Sequence, residues 1–203
     1  SNETAEGYLE VLERQSNRLK KLIEDLIEAS KASTGNLAVH LEKLEAGVSV
    51  VQIVGEFEDK LNAADLTLLI QKPETPVYVM ADGRHFWRVI DNLMNNICKY
   101  AQPGTRVYVD LRENGGQVEL IFRNTSRYPL NISSEELMER FVRGDESRNT
   151  EGSGLGISIA KSLMELMGGS FMLYVDGDLF KVVLGFAQME EEKEPLDEDK
   201  SGK

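Results

Sequence analysis

Residues 82–100 read DGRHFWRVIDNLMNNICKY, and this stretch decides the fold. Asp82 is a helix-capping residue, and Phe86, Ile90, Leu93 and Ile97 recur at four, three and four, which is the spacing of one buried helical face. Asn92, Asn96 and Lys99 recur at four and three on the adjoining face. Asparagine is a poor helix former because its amide competes with the backbone, so Asn92, Asn95 and Asn96 together at a helix centre point to a local requirement. Amide oxygens coordinate magnesium, and a lysine one turn on meets phosphate, so this face suits a metal-nucleotide. A solvated polar face ending in a lysine accounts for the same spacing.

On either side the apolar pattern shortens and alternates. Toward the N-terminus it predicts a strand from Leu37 to Glu42, a helix from about Val48 to Ala63, and strands at Leu66 to Ile70 and Val77 to Met80 around a Pro-containing turn. Beyond the central helix, Arg106 to Arg112 and Gln117 to Arg123 form a hairpin around Asn114-Gly115-Gly116. A short helix near Ser134 to Arg140 and another from Gly156 to Met167 follow, then a hairpin of Ser170 to Val175 with Phe180 to Ala187. The expected fold is α+β, a two-layer α/β sandwich with a mixed sheet and helices on one face. A long helix from about Glu3 to Ser33 precedes it. Its apolar residues Tyr8, Leu12, Leu19, Leu22, Leu26 and Ala29 form a seam that needs a partner helix.

Composition narrows the function. The chain has 203 residues with 23 basic and 35 acidic side chains, a net charge of −12, which argues against broad contact with nucleic-acid phosphates. It leaves room for one nucleotide in a local pocket. No run approaches the roughly 20 apolar residues of a membrane span. The single cysteine, Cys98, forms no internal disulfide, which suits a reducing compartment. Past Gln188 the chain is dominated by acids and is expected to be a disordered tail.

The second chemical feature is Glu151-Gly152-Ser153-Gly154-Leu155-Gly156, which opens a helix. Glycines let backbone approach a ligand closely, and amides at a helix N-terminus favour an anion. The stretch lacks the Gly-Lys-Ser/Thr of a P-loop and the final glycine spacing of a dinucleotide fingerprint. A tight turn with no ligand explains it equally well when it is taken alone.

Taken together and in this order, the two features resemble the catalytic ATP-binding domain of sensor histidine kinases, in the superfamily shared with gyrase-type ATPases and Hsp90-like chaperones. Arg88 to Tyr100 matches the asparagine box, Met138 to Asp145 the phenylalanine box, and Glu151 to Ile159 the glycine-rich box. The resemblance covers roughly residues 37–187 and implies a Bergerat-type fold with ATP and magnesium as cofactors. Arg18 to Leu26 with Ala29 to Lys31 is similar to the second helix of the family's dimerisation and phosphoacceptor hairpin. Three segments follow: a partial dimerisation helix at 3–35, the ATP-binding domain at 36–188, and the tail at 189–203.

Carried over by position, the resemblance makes Asn96 the magnesium ligand, Asn92 and Lys99 the catalytic groups beside the phosphates, and Tyr100 a neighbour of the nucleotide. Gly152, Gly154, Leu155 and Gly156 offer backbone to the phosphates, Phe141 anchors a lid from about Val142 to Ser153, and Arg148 closes over the terminal phosphate. In ATP-hydrolysing relatives a glutamate stands one turn before the metal-binding asparagine; Asn92, an amide, has no useful basicity there. The site is therefore expected to hold ATP for transfer, which needs chiefly positioning and charge neutralisation.

Two departures from the family pattern stand out. Asn124-Thr-Ser-Arg-Tyr-Pro-Leu130 replaces the Asp-x-Gly-x-Gly box, so Asn124 is expected to accept from adenine without charge assistance. Neither His40 nor His85 sits in an acceptor motif, which places the phosphoacceptor histidine on a segment outside this chain. The resemblance further implies a homodimer through the N-terminal helix, a response-regulator receiver domain as partner, and a cytoplasmic location within a membrane-anchored sensor. Two other readings stay open: a non-catalytic dimerisation module with a degenerate nucleotide site, and a serine/threonine kinase of the same superfamily.

Overall fold

The computed structural model describes residues 2–143 and 154–189. The elements in order are α1 (Asn2–Ser33), β1 (Glu42–Glu45), α2 (Ala46–Gly55), α3 (Glu58–Ala63), β2 (Leu66–Gln71), β3 (Tyr78–Ala81), α4 (Gly83–Tyr100), β4 (Thr105–Asn114), β5 (Gln117–Thr125), α5 (Ser134–Arg143), α6 (Gly156–Leu166), β6 (Ser170–Asp176) and β7 (Leu179–Ala187).

Five strands form a mixed sheet in the order β2-β4-β5-β7-β6, with β2 parallel to β4 and the other neighbours antiparallel. Alternation along the strands sorts the two faces. Val107, Val109, Leu111, Val118, Leu120 and Phe122 point into one core with Phe86, Ile90 and Leu93 of α4 and Ile159 and Leu163 of α6. The intervening residues carry the opposite face, where Arg112 pairs with Glu119 at 2.7 Å and Arg123 with Asp110. Phe86 and Phe186 meet with ring centroids 5.6 Å apart, fixing α4 over β7.

α4 begins where the sequence predicts. The Asp82 carboxylate accepts from the amides of Arg84 at 3.0 Å and His85 at 3.2 Å, and also from the His40 amide at 2.8 Å. One cap thus ties the start of α4 to the segment entering β1. His85 is buried with Nε2 2.9 Å from the Ala38 carbonyl oxygen.

Three boundaries differ from the sequence reading. The strand expected at Leu37 to Glu42 lies later, as β1, which pairs antiparallel with β3. The single helix expected from Val48 to Ala63 is two, α2 and α3, broken around Glu56 and Phe57. The first of these starts early because Glu45 caps it, accepting from the amides of Gly47 and Val48 and also from Val77 at 3.2 Å. The apolar seam of α1 also splits. Ala29 and Ala32 pack against the core, while Tyr8, Leu12, Leu19, Ile23 and Leu26 stay exposed.

Candidate functional site

A cleft of about 950 Å³ lies between α4, α3, the start of α6 and one side of α1. That volume is in the range of small-molecule sites. Asn92, Asn96, Lys99 and Tyr100 of α4 line it together with Gly154 and Gly156, so the helix face and the glycine-rich turn singled out in the sequence do meet.

The three asparagines have separate roles. Asn95 is occupied structurally: its Nδ2 donates to the Asp91 carbonyl and carboxylate, each at 2.9 Å, and its Oδ1 accepts from Lys60 at 3.0 Å. Asn92 is only 8% exposed, yet its Nδ2 has no hydrogen-bond partner. Leaving a buried polar hydrogen unpaired costs about 1–3 kcal/mol, so this amide marks a place for an acceptor. Asn96 is half-buried on the cleft wall.

Gly156 explains how α6 comes so near. A Cβ added there would sit 3.3 Å from Asn92 Oδ1, so only glycine lets the start of α6 lie on that side chain without displacing it. Gly154 has φ +70°, the left-handed region that glycine occupies without strain. Leu155, the N-cap of α6, supplies no side-chain cap to the amides that follow.

At the other end of α4, Lys99 Nζ lies 4.9 Å from the Tyr100 ring centroid. The Arg127 amide donates to the Tyr100 carbonyl at 2.8 Å and the Gln102 amide to Thr125 at 2.8 Å, stitching the end of α4 to the end of β5. Asn124 lies on that strand in phase with Val118, Leu120 and Phe122, hence on the helix-facing side. It is 4% exposed and its Oδ1 has no partner, while its Nδ2 makes one long bond of 3.3 Å to Thr125. It does not line the open cleft. Asn124 Oδ1 is thus a second unpaired buried polar atom, an acceptor where Asn92 offers a donor.

Phe141 falls in α5; its side chain, Arg148 and Gly152 lie outside the described residues. Cys98 is half-buried on the cleft wall, where burial pushes its thiol up against the opposing charge of Lys60 and keeps it protonated. Sequence reading missed the contribution of α1. Arg14, Arg18 and Lys21 line the same cleft, as does Asp25, which Arg88 holds at 2.8 Å. Their spacing of four and three is visible in the sequence, but only the packing of α1 beside α6 turns that face toward the cleft.

Comparison with known proteins agrees with this geometry. Residues 81–195, more than half of the chain, match the family model described as histidine kinase-, DNA gyrase B-, and HSP90-like ATPase. Sensor protein IrlS of Burkholderia pseudomallei is 27% identical over 173 residues, covering 82% of this chain and 36% of that protein. The chain therefore spans about a third of that relative's length. Among solved structures, Acinetobacter baumannii histidine kinase AdeS superposes with a TM-score of 0.71 over 90% of this chain and 84% of that one, at 20% identity. Histidine kinase ThkA in complex with response regulator protein TrrA superposes with a TM-score of 0.67 over 93% of this chain and 53% of that one, at 14% identity. With an unpaired donor on Asn92, an unpaired acceptor on Asn124 and a matching model across both, the chain belongs to the histidine kinase-, DNA gyrase B- and HSP90-like ATPase family, whose domain binds ATP.

Proposed function

We propose that the chain is the ATP-binding catalytic part of a two-component sensor histidine kinase, which transfers the γ-phosphoryl group of ATP to a histidine outside this chain. The observation that carries this reading is Asn92, a buried amide with an unpaired Nδ2, set against Gly156 on the cleft wall. Among the described residues lining the cleft the sole carboxylate is Asp25, and Arg88 engages it. Amides and cations, with no carboxylate free to activate water among the described lining residues, favour transfer over hydrolysis.

The donor set also suits magnesium, which keeps several waters and takes one or two protein oxygens besides phosphates. Asn96 Oδ1 is assigned that place, Lys99 and Asn92 the phosphates, Tyr100 the nucleotide flank, and Asn124 Oδ1 the adenine amine. Gly154, Leu155 and Gly156 present backbone to the phosphates. When bound, magnesium neutralises charge on the β- and γ-phosphates.

The wider protein is read the same way. The exposed stripe of Tyr8, Leu12, Leu19, Ile23 and Leu26 is an unpartnered helical face that supports dimerisation through α1. The likeness to ThkA, solved with a response regulator, supports a receiver-domain aspartate as the next acceptor. The roughly two-thirds of IrlS that this chain does not cover leaves room for a sensor and a membrane anchor, with this part cytoplasmic.

Isothermal titration with a non-hydrolysable ATP analogue tests the core of the reading. Binding is expected with magnesium and is expected to weaken sharply in EDTA or in Asn96→Ala, with the circular dichroism unchanged. No binding at millimolar analogue sinks it.

A further inference from the structure

The cleft is far more basic than the protein that carries it. Among the described residues, Arg14, Arg18, Lys21, Lys60, Lys99 and Arg127 line it, against the single acid Asp25, in a chain whose net charge is −12. Half of those cations belong to α1 and recur at four and three, so they share one helical face. Arg14 and Lys21 form no ion pair among the described residues. Like charges that outnumber the acids beside them repel one another, and a polyanion relieves that repulsion.

The setting of α1 is fixed, so these side chains are held at the cleft. Arg88 donates to Asp25 and Glu28, each at 2.8 Å, one and two turns past Lys21 on the same helix. α1 also packs along α6, whose first residues carry the glycine-rich turn. Arg14 and Lys21 line the same open cleft as Gly154 and Gly156 of the glycine-rich turn, the groups read above as the phosphate end of the site.

We propose that α1 is part of the nucleotide site, and that Arg14 and Lys21 engage the terminal phosphate of a nucleoside triphosphate. This rests on the ATP reading above and adds a specificity device to it. A triphosphate reaches both cations and steadies α1 where it already lies. A diphosphate has one phosphate fewer, lacks those contacts, and leaves α1 held only by its contacts to the domain, Arg88 among them.

The test uses the intact chain, titrated in magnesium with a non-hydrolysable ATP analogue and with ADP, as wild type and as Arg14→Gln/Lys21→Gln. Charge-assisted contacts to two cations should give the wild type a preference for the triphosphate of about tenfold or more, and the double variant should lose most of it while ADP affinity changes by less than about threefold. Arg14→Lys/Lys21→Arg should keep the preference. Amide exchange in residues 14–32 should slow more with the triphosphate than with ADP in the wild type and equally in the Gln variant. A wild type without triphosphate preference, or a Gln variant that keeps it or loses ADP equally, overturns the proposal and leaves the ATP reading intact. A wild type that binds neither nucleotide overturns both.

Discussion

Arg88 on α4 reaches 63 residues back along the chain to Asp25 on α1, with Nη2 2.8 Å from Oδ1. The same nitrogen lies 2.8 Å from Glu28, and Nη1 lies 3.1 Å from Asp91. Burial alone pushes the guanidinium pKa down; Glu28, Asp25 and Asp91 outweigh it and hold Arg88 charged. Asp25 is 5% exposed, so removing this partner would strip a buried carboxylate of a close counter-charge.

Replacing Arg88 with Met should therefore cost about 2–3 kcal/mol, less than a fully buried pair because the Arg88 side chain keeps some contact with water. Urea unfolding measures the loss, and amide exchange should rise in α1 while β4, β5 and β7 stay protected. Unchanged exchange in α1 would show that other contacts dock the helix.

Asp82 predicts a pH dependence. Burial raises its carboxyl pKa, but the amides of His40 and His85, the His85 charge and the Arg84 amide outweigh that and hold it below the ordinary 3.8. A group with a depressed folded pKa contributes stability above its unfolded pKa and loses it as pH falls through the folded one. The stability difference between wild type and Asp82→Asn should thus be full at neutral pH and shrink below about pH 4. Asp82→Ala should cost about 1–2 kcal/mol at pH 7 through loss of the cap.

Two neighbouring glycines should behave differently. At Gly154, with φ +70°, alanine should cost about 1–2 kcal/mol in thermal unfolding. At Gly156 the backbone is ordinary and the cost falls on Asn92, 3.3 Å from the new Cβ. Alanine there should leave stability within about 1 kcal/mol, because improved helix propensity offsets the crowding, yet weaken ATP-analogue binding measurably.

Asn124 should set the choice of base. If its unpaired Oδ1 takes the adenine amine, as proposed, the wild type should prefer ATP to inosine triphosphate, and Asn124→Leu should bind both alike. Losing one buried neutral hydrogen bond predicts a preference of about three- to tenfold, read by competition titration. An unchanged preference in Asn124→Leu removes the residue from the base pocket.

Local rules made much of this architecture legible. The cap at Asp82, the buried stripe of α4 and the hairpin turns at Asn114 and Asp176 each depend on residues a few positions apart, so their patterns can be read directly. Asn92 and Asn96 fall into the same category, since α4 alone puts them on one face. The break between α2 and α3 was hidden because the apolar spacing runs on through Phe57, while the cap at Glu45 also serves Val77 on a distant segment.

Long-range packing decided the rest. Period-two alternation places Asn124 in phase with Phe122, but that the shared face lies under α4 and α6 follows from sheet order and helix docking. Nothing near Arg14 or Lys21 in the chain announces a ligand site, since a cationic helical face is ordinarily solvated. It becomes one wall of a cleft because packing on α6 and the Arg88–Asp25 pair together set α1 against the domain. Short-range spacing determines which side chains share a surface; which surfaces face each other depends on contacts between residues dozens of positions apart, and those form only in the folded chain.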